Sequence, residues 1–333
     1  LIEINADSKE IREVYSESSP THVNNNNIFR RLDNGKFILG TEKSGWNQLY
    51  LMDWQTGNLV NRITDGNYVV KNILSIDEEN SIIYFEAAGK DKDVNPYYSF
   101  VYKVNFDGTG LELLTPENAF HDISYGSGKD YFVDNYSTVN QPTVSVVREL
   151  KTGKVVHEIS KADISNLLKK GYQSPTQFTA TAKDGKTTIY GIYYVPTDFN
   201  SKKKYPIIDY TYSGPHIDIT PKTFRAGLVG LQQPMAELGF VVVTVDGLGT
   251  NKTDNIPPSK LLMPLSFGAL MGGICTLLGT STNILVSGIA EKAGLPAFGV
   301  FEMSLMGLVF FATGLIYMLT IGRWLTPTRQ AKS

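Results

Sequence analysis

Acyl transfer by a serine hydrolase needs a serine on a tight strand-to-helix turn, Gly-x-Ser-x-Gly, followed by an acid and a histidine in that order. The 333 residues contain no Gly-x-Ser-x-Gly. Gly126-Ser127-Gly128 is too short a match and falls in a hairpin turn between strand-forming runs. His22, His121, His157 and His216 are too scattered to suggest a metal site. Of these, His216 reads as a loop residue just past Gly214-Pro215. Glu78-Glu79 sits in Asp77-Glu78-Glu79-Asn80, a solvated hairpin turn. Cys275 is the only cysteine, so no internal disulfide forms. One polar cluster stands out for its surroundings: Gly279, Thr280, Ser281, Thr282 and Asn283 lie within Leu261 to Ala290, a run without a charged side chain. In a broken helix, such hydroxyls and freed carbonyls can replace an ion's hydration shell. In an unbroken one the same residues are a helix-packing patch. Residue type alone leaves both readings open.

The elements that must position these residues change character along the chain. Net charge is -2, which gives no basis for a nucleic-acid partner held by phosphate neutralisation. Leu1-Ile2-Glu3-Ile4-Asn5 lacks a basic region ahead of an apolar one, so no signal peptide is expected there. Residues 1–250 are rich in Asn, Asp, Lys, Tyr and Gly, as in a soluble β-rich protein. A hydrocarbon core needs ~20 apolar helical residues to cross it. Leu261–Ala290 and Met303–Gly322 both reach that length, with small residues interleaved as membrane helix contacts prefer. They predict transmembrane helices with lipid around residues 261–322, and Arg323, Arg329 and Lys332 favour a cytoplasmic C-terminus.

A hairpin pattern recurs over the first 160 residues. Leu49–Asp53 turns through Thr56-Gly57 into Asn58–Val60, Val101–Asn105 through Asp107–Gly110 into Leu111–Leu114, and Val144–Val147 through Lys151–Gly153 into Lys154–Val156. Each is a period-two strand, a glycine-bearing turn and a second strand, and Lys36–Leu39, Ser81–Phe85 and Asp130–Val133 precede them. About four strands per repeat predict β-propeller blades, three to four of them, fewer than a closed ring. Thr176–Thr181 and Ile189–Val195 then predict an antiparallel pair about Asp184-Gly185. Ile207–Tyr212, a helix over Thr223–Leu238 ended by Gly239, and Phe240–Val245 predict a parallel α/β unit.

Lys203-Lys204-Tyr205-Pro206-Ile207-Ile208-Asp209-Tyr210-Thr211-Tyr212-Ser213-Gly214-Pro215 resembles the opening of the hydrolase domain in dipeptidyl peptidase IV-like members of the prolyl oligopeptidase family. Val243–Thr250 is similar to the strand and Asp-Gly-x-Gly-Thr turn that follow, and Asn95-Pro96-Tyr97-Tyr98, Asp107–Gly110 and Tyr131-Phe132-Val133-Asp134 to the late propeller blades. The resemblance covers about residues 1–252 and implies a propeller joined to an α/β-hydrolase domain that cleaves small peptides. It also implies that Tyr212 is the tyrosine whose hydroxyl contributes to the oxyanion hole. On residue type alone Tyr212 reads as a buried tyrosine at a strand end. Nucleophile, acid and base are absent, so a peptide is the partner of the parent family while this chain is expected to be inactive.

Ile256–Ser266 and Gly272–Asn283 resemble the divalent anion/sodium symporters, which carry sulfate or dicarboxylates. The resemblance covers about residues 255–326 and implies that Gly279, Thr280, Ser281, Thr282 and Asn283 meet sodium and substrate. Na+ is the one ion this segment would use; no other cofactor and no metal site is expected. The fold class expected is therefore mixed. A partial β-propeller occupies residues 1–165, the N-terminal part of an α/β-hydrolase domain 166–252, and a transporter fragment with transmembrane α-helices 253–333.

Overall fold

The computed structural model describes residues 1–18, 28–91, 93–126, 130–212, 218–246, 273, 275, 281–296 and 298–322. The chain divides into two compact units at Asp254/Asn255.

The first unit is built on antiparallel meanders. Strands β1 (Ile2–Ile4) and β2 (Ile11–Glu13) form a hairpin. The first four-stranded sheet is β3 (Phe29–Arg31), β4 (Lys36–Thr41), β5 (Gln48–Asp53) and β6 (Leu59–Arg62). The second is β7 (Val69–Asp77), β8 (Ile82–Ala88), β9 (Ser99–Asn105) and β10 (Glu112–Leu113), and the third β11 (Phe120–Tyr125), β12 (Tyr131–Ser137), β13 (Val144–Glu149) and β14 (Val155–Lys161). In each sheet the strands lie side by side in chain order. That is propeller-like, but the described sheets do not close into a ring.

Burial explains why Ile82–Phe85 is a continuous apolar run where the other hairpins alternate. Successive side chains of a strand point to opposite faces. Ile83 and Phe85 enter a core shared with Ile38, Leu49 and Leu51 of the first sheet. Tyr84, between them, enters a second core with Phe132 and Leu150 of the third. The middle sheet is covered on both faces, and burying one such aromatic contributes about 1.5–3 kcal/mol.

One device holds each sheet to its predecessor. The turn after the third strand carries a glycine at positive φ: Gly57 (+70°), Gly108 (+86°) and Gly153 (+70°). A Cβ at Gly57 would stand 2.0 Å from the Val14 carbonyl oxygen, at Gly108 3.0 Å from that of Arg62, and at Gly153 2.1 Å from that of Leu114. Each contacted residue ends or follows the last strand of the preceding hairpin or sheet. Glycine is needed for the backbone conformation and for the approach.

After α1 (Ser165–Lys169), β15 (Thr176–Thr181) and β16 (Thr188–Tyr194) form the expected antiparallel pair. Asp184 closes their turn by accepting the Lys186 and Thr187 N–H groups, with Gly185 at φ +71°. β17 (Ile207–Asp209) lies parallel to β18 (Val241–Val245), in the order β15-β16-β18-β17. The single helix expected over Thr223–Leu238 is instead α2 (Phe224–Val229) and α3 (Gln232–Glu237). Gly230 between them is extended, at φ -70° and ψ 167°. Pro234 is the cause: a continued helix would drive its ring into the Gly230 carbonyl, whereas the first turn of a new helix accepts it. Thr223 caps α2 through its hydroxyl, which accepts the Ala226 N–H at 3.2 Å.

In the second unit α4 spans Ser281–Lys292 and α5 Ser304–Tyr317, the latter continuing as a π turn over Met318–Gly322. Most of Leu261–Ala290 lies outside the described residues, and among the described residues no helix is long and apolar enough to cross a membrane. The α-helical run of the last segment stops at Tyr317, where the Thr320 hydroxyl donates to the Ile316 carbonyl at 2.6 Å.

Candidate functional site

Tyr212 follows β17 by three residues and is 65 % exposed, so it is not the buried strand-end tyrosine that residue type suggests. Next to it, the Thr211 hydroxyl donates to the Val245 carbonyl at 3.4 Å, fastening the end of β17 to β18. Asp246, one residue beyond β18, accepts the Ile219 N–H at 2.8 Å and the Thr220 N–H at 3.3 Å through Oδ1. The segment leading into α2 is thereby tied to the same sheet end. His216 and Gly247–Thr250 lie outside the described residues, as do His22, Ser127 and Gly128. Tyr212 therefore has a scaffold, and the sequence offers no nucleophile elbow for it to serve.

The one charged cluster with metal-binding residue types is Glu117, His121 and Asp134, among the described residues. Strands β11 and β12 and the loop before β11 make it, on the face of the third sheet that packs against the second. His121 Nδ1 lies 2.9 Å from Asp134 Oδ2, and Nε2 lies 3.0 Å from the Glu117 carbonyl oxygen. The imidazole is flanked by the Phe100 and Tyr136 rings at 5.3 and 5.7 Å. Arg148, 2 % exposed, fills the position a cation would take. Its Nε donates to Asp134 at 2.8 Å, one terminal nitrogen to Glu117 at 2.7 Å, and the other to the Gly153 carbonyl at 3.0 Å. Burial works against its charge, yet the bonds to Glu117 and Asp134 outweigh it and raise the guanidinium pKa further. With both carboxylates already bonded to arginine, this cluster is a clamp on the third sheet. The sequence hid it, because four residues spread over positions 117–148 meet only through strand register.

Charge also gathers on β7 and β8, at the exposed Lys71 and the half-buried Glu86. Burial raises the Glu86 carboxyl pKa, against hydrogen bonding from Asn72 and the charge of Lys71. Burial lowers that of Lys71, and nearby Lys222 adds to the effect. Lys222 itself pairs with Asp218 at 2.6 Å.

In the second unit Gly279 and Thr280 lie outside the described residues, and Ser281 begins α4. Thr282 is exposed, and Asn283 donates through its amide to the Gly273 carbonyl at 3.3 Å. Ser304 donates to the Cys275 carbonyl at 2.7 Å, and buried Ser287 accepts the Phe298 N–H at 3.1 Å. Asn283 and Ser304 thus hold two carbonyls of one short stretch, Gly273 and Cys275.

Comparison with known proteins separates the chain in the same region as its contacts do. Residues 1–143 match the family model of the dipeptidyl peptidase IV N-terminal region, and residues 248–333 that of a citrate transporter. The chain resembles two families. A protein of Ajellomyces dermatitidis named "Probable dipeptidyl-aminopeptidase B" is 31 % identical over 202 residues, 56 % of this chain and 20 % of that protein. An uncharacterized transporter of Synechocystis sp. is 49 % identical over 75 residues, 22 % of this chain and 12 % of the transporter. The chain thus spans about one fifth of the peptidase relative. Porphyromonas gingivalis dipeptidyl peptidase 4 superposes with a TM-score of 0.66 over 78 % of this chain and 38 % of that structure, at 20 % identity. That likeness is one of fold.

Proposed function

We propose that residues 1–252 are a piece of a dipeptidyl peptidase IV-like serine peptidase that has lost catalysis, followed by a piece of an anion transporter. The reading rests on one combination. The β15-β16-β18-β17 sheet carries Tyr212 beyond its β17 strand, at the position the resemblance gives to an oxyanion donor, while the 333 residues hold no Gly-x-Ser-x-Gly. A donor without a nucleophile stabilises a charge that never develops. Residues 1–165 act as partial propeller, 166–252 as the opening of the hydrolase fold, and a peptide is the ligand class the parent family would bring. A Xaa-Pro-p-nitroanilide substrate tests this: the purified chain releases no nitroaniline above a blank, and sustained release would refute the loss of catalysis.

A second reading concerns the anchor. α5 exposes Leu305, Met306, Leu308, Val309, Phe310 and Ile316 around its circumference, as a helix in lipid does. We infer that residues 261–322 hold the chain at a membrane as a tethered peptide-binding module, with Gly279–Asn283 as the remnant of a sodium and anion site. Two helices cannot provide alternating access, so no transport is expected. The chain should float with phosphatidylcholine vesicles in a density gradient; recovery only in the dense fraction argues against the anchor.

A further inference from the structure

A neutral imidazole donates from one ring nitrogen and accepts at the other; only an imidazolium donates from both. His121 has an acceptor at each nitrogen. Its Nδ1 lies 3.0 and 2.9 Å from the two Asp134 carboxyl oxygens, and its Nε2 lies 3.0 Å from the Glu117 carbonyl oxygen. A backbone carbonyl only accepts. The Asp134 carboxyl also accepts here, since its Oδ2 takes the Arg148 Nε–H at 2.8 Å, and a carboxyl beside a guanidinium stays ionised. In a neutral ring, one lone pair would therefore face an oxygen at a distance that leaves no room for water. His121 is 1 % exposed and Asp134 0 %, so solvent does not relieve that repulsion.

The charges around the ring lead to the same state. Asp134 and Tyr136 face it from β12, Arg148 closes the cluster from β13, Glu117 meets it from the loop before β11, and β9 brings the apolar Phe100 ring. Glu158 of β14 acts on Tyr136 from the outer strand of the sheet. Two carboxylates against one guanidinium leave Glu117, Asp134 and Arg148 with one negative charge in excess. An imidazolium cancels it, and buried charge is stable only when paired.

We infer that His121 is an imidazolium in the folded chain at neutral pH, and that its second proton is a pH-sensitive latch between the second and third sheets. Residues 114–119 carry the chain from β10 of the second sheet to β11 of the third. The Nε2–H holds this connection at the Glu117 carbonyl, while Arg148 holds it at the Glu117 side chain. Titration removes the Nε2 proton, because the Asp134 carboxylate binds its N–H more strongly than a carbonyl does. The Glu117 carbonyl then loses its donor and the cluster turns negative. An unfolded histidine releases its proton near pH ~6.5. Above that pH the folded chain binds one proton more than the unfolded chain, so stability falls as pH rises. The latch is fully present below about pH 6.5 and weakens on the alkaline side.

The test reads the ring directly. The detergent-solubilised full chain, labelled with 15N in its four histidine rings, is examined by NMR at about pH 7.5, with His121→Gln assigning the signal. Two protonated nitrogens are expected for His121, and one protonated with one bare nitrogen would overturn the inference. Urea unfolding across about pH 6.5–8.5 gives the second readout. The folding equilibrium constant should drop by up to about tenfold per pH unit more in the unaltered chain than in His121→Gln. An equal drop in both would remove the latch. If His121→Gln does not fold, the chain carrying His22→Gln, His157→Gln and His216→Gln leaves His121 as the lone histidine signal, and its protonation decides.

Discussion

Arg148 is the residue on which the third sheet's buried charge depends. It donates to Asp134, 0 % exposed, to Glu117, and to the carbonyl of the Gly153 turn. Its loss leaves the buried Asp134 carboxylate and the partly exposed Glu117 without their arginine. Arg148→Met should lower the urea-unfolding free energy by about 3–5 kcal/mol, as removal of one partner from a buried ion pair does. A change below about 1 kcal/mol would mean the clamp is replaceable by ordinary packing. None of this was legible beforehand. His121 reads as a lone histidine until the ladder sets Tyr136 opposite it and Asp134 within reach of its ring. Tyr212 shows the converse: its motif was readable, yet its exposure depends on how its neighbours pack.

Among the elements, the hairpins were the readable part. Period-two strands meeting at Thr56-Gly57, Asp107-Gly108 and Thr152-Gly153 state both the turn and the strand pair, because only a few residue types fit those turns. The structure adds that the same glycines press on the preceding hairpin or sheet. Gly153→Ala should therefore destabilise by at least about 2 kcal/mol, combining a left-handed backbone with a clash against Leu114. Gly185→Ala, at similar φ but with no atom within 4 Å of its Cβ, should cost only about 1 kcal/mol. Equal losses would remove the inter-sheet role of the turn. The elements misread were helical. Pro234 lies within Thr223–Leu238, and it splits the segment at Gly230 into two short helices. Over Met303–Gly322 composition states length and hydropathy, but not where the α-helical turns give way to the π turn after Tyr317.

For the whole molecule, the governing fact is that the residues with chemistry belong to two incomplete sets. Tyr212 and the sheet that carries it come with no nucleophile elbow. The Gly279–Asn283 motif runs into α4, which begins at Ser281. The resemblance to a peptidase region over residues 1–143 and to a transporter from 248 onward agrees with a division of the chain at Asp254/Asn255. The most direct measurement is covalent: the purified full chain is incubated with a fluorophosphonate probe and examined by intact-mass spectrometry and peptide mapping. The account predicts no adduct, since no serine of these 333 residues sits on a nucleophile elbow. Stoichiometric labelling of any serine, blocked by prior heat denaturation, would contradict it.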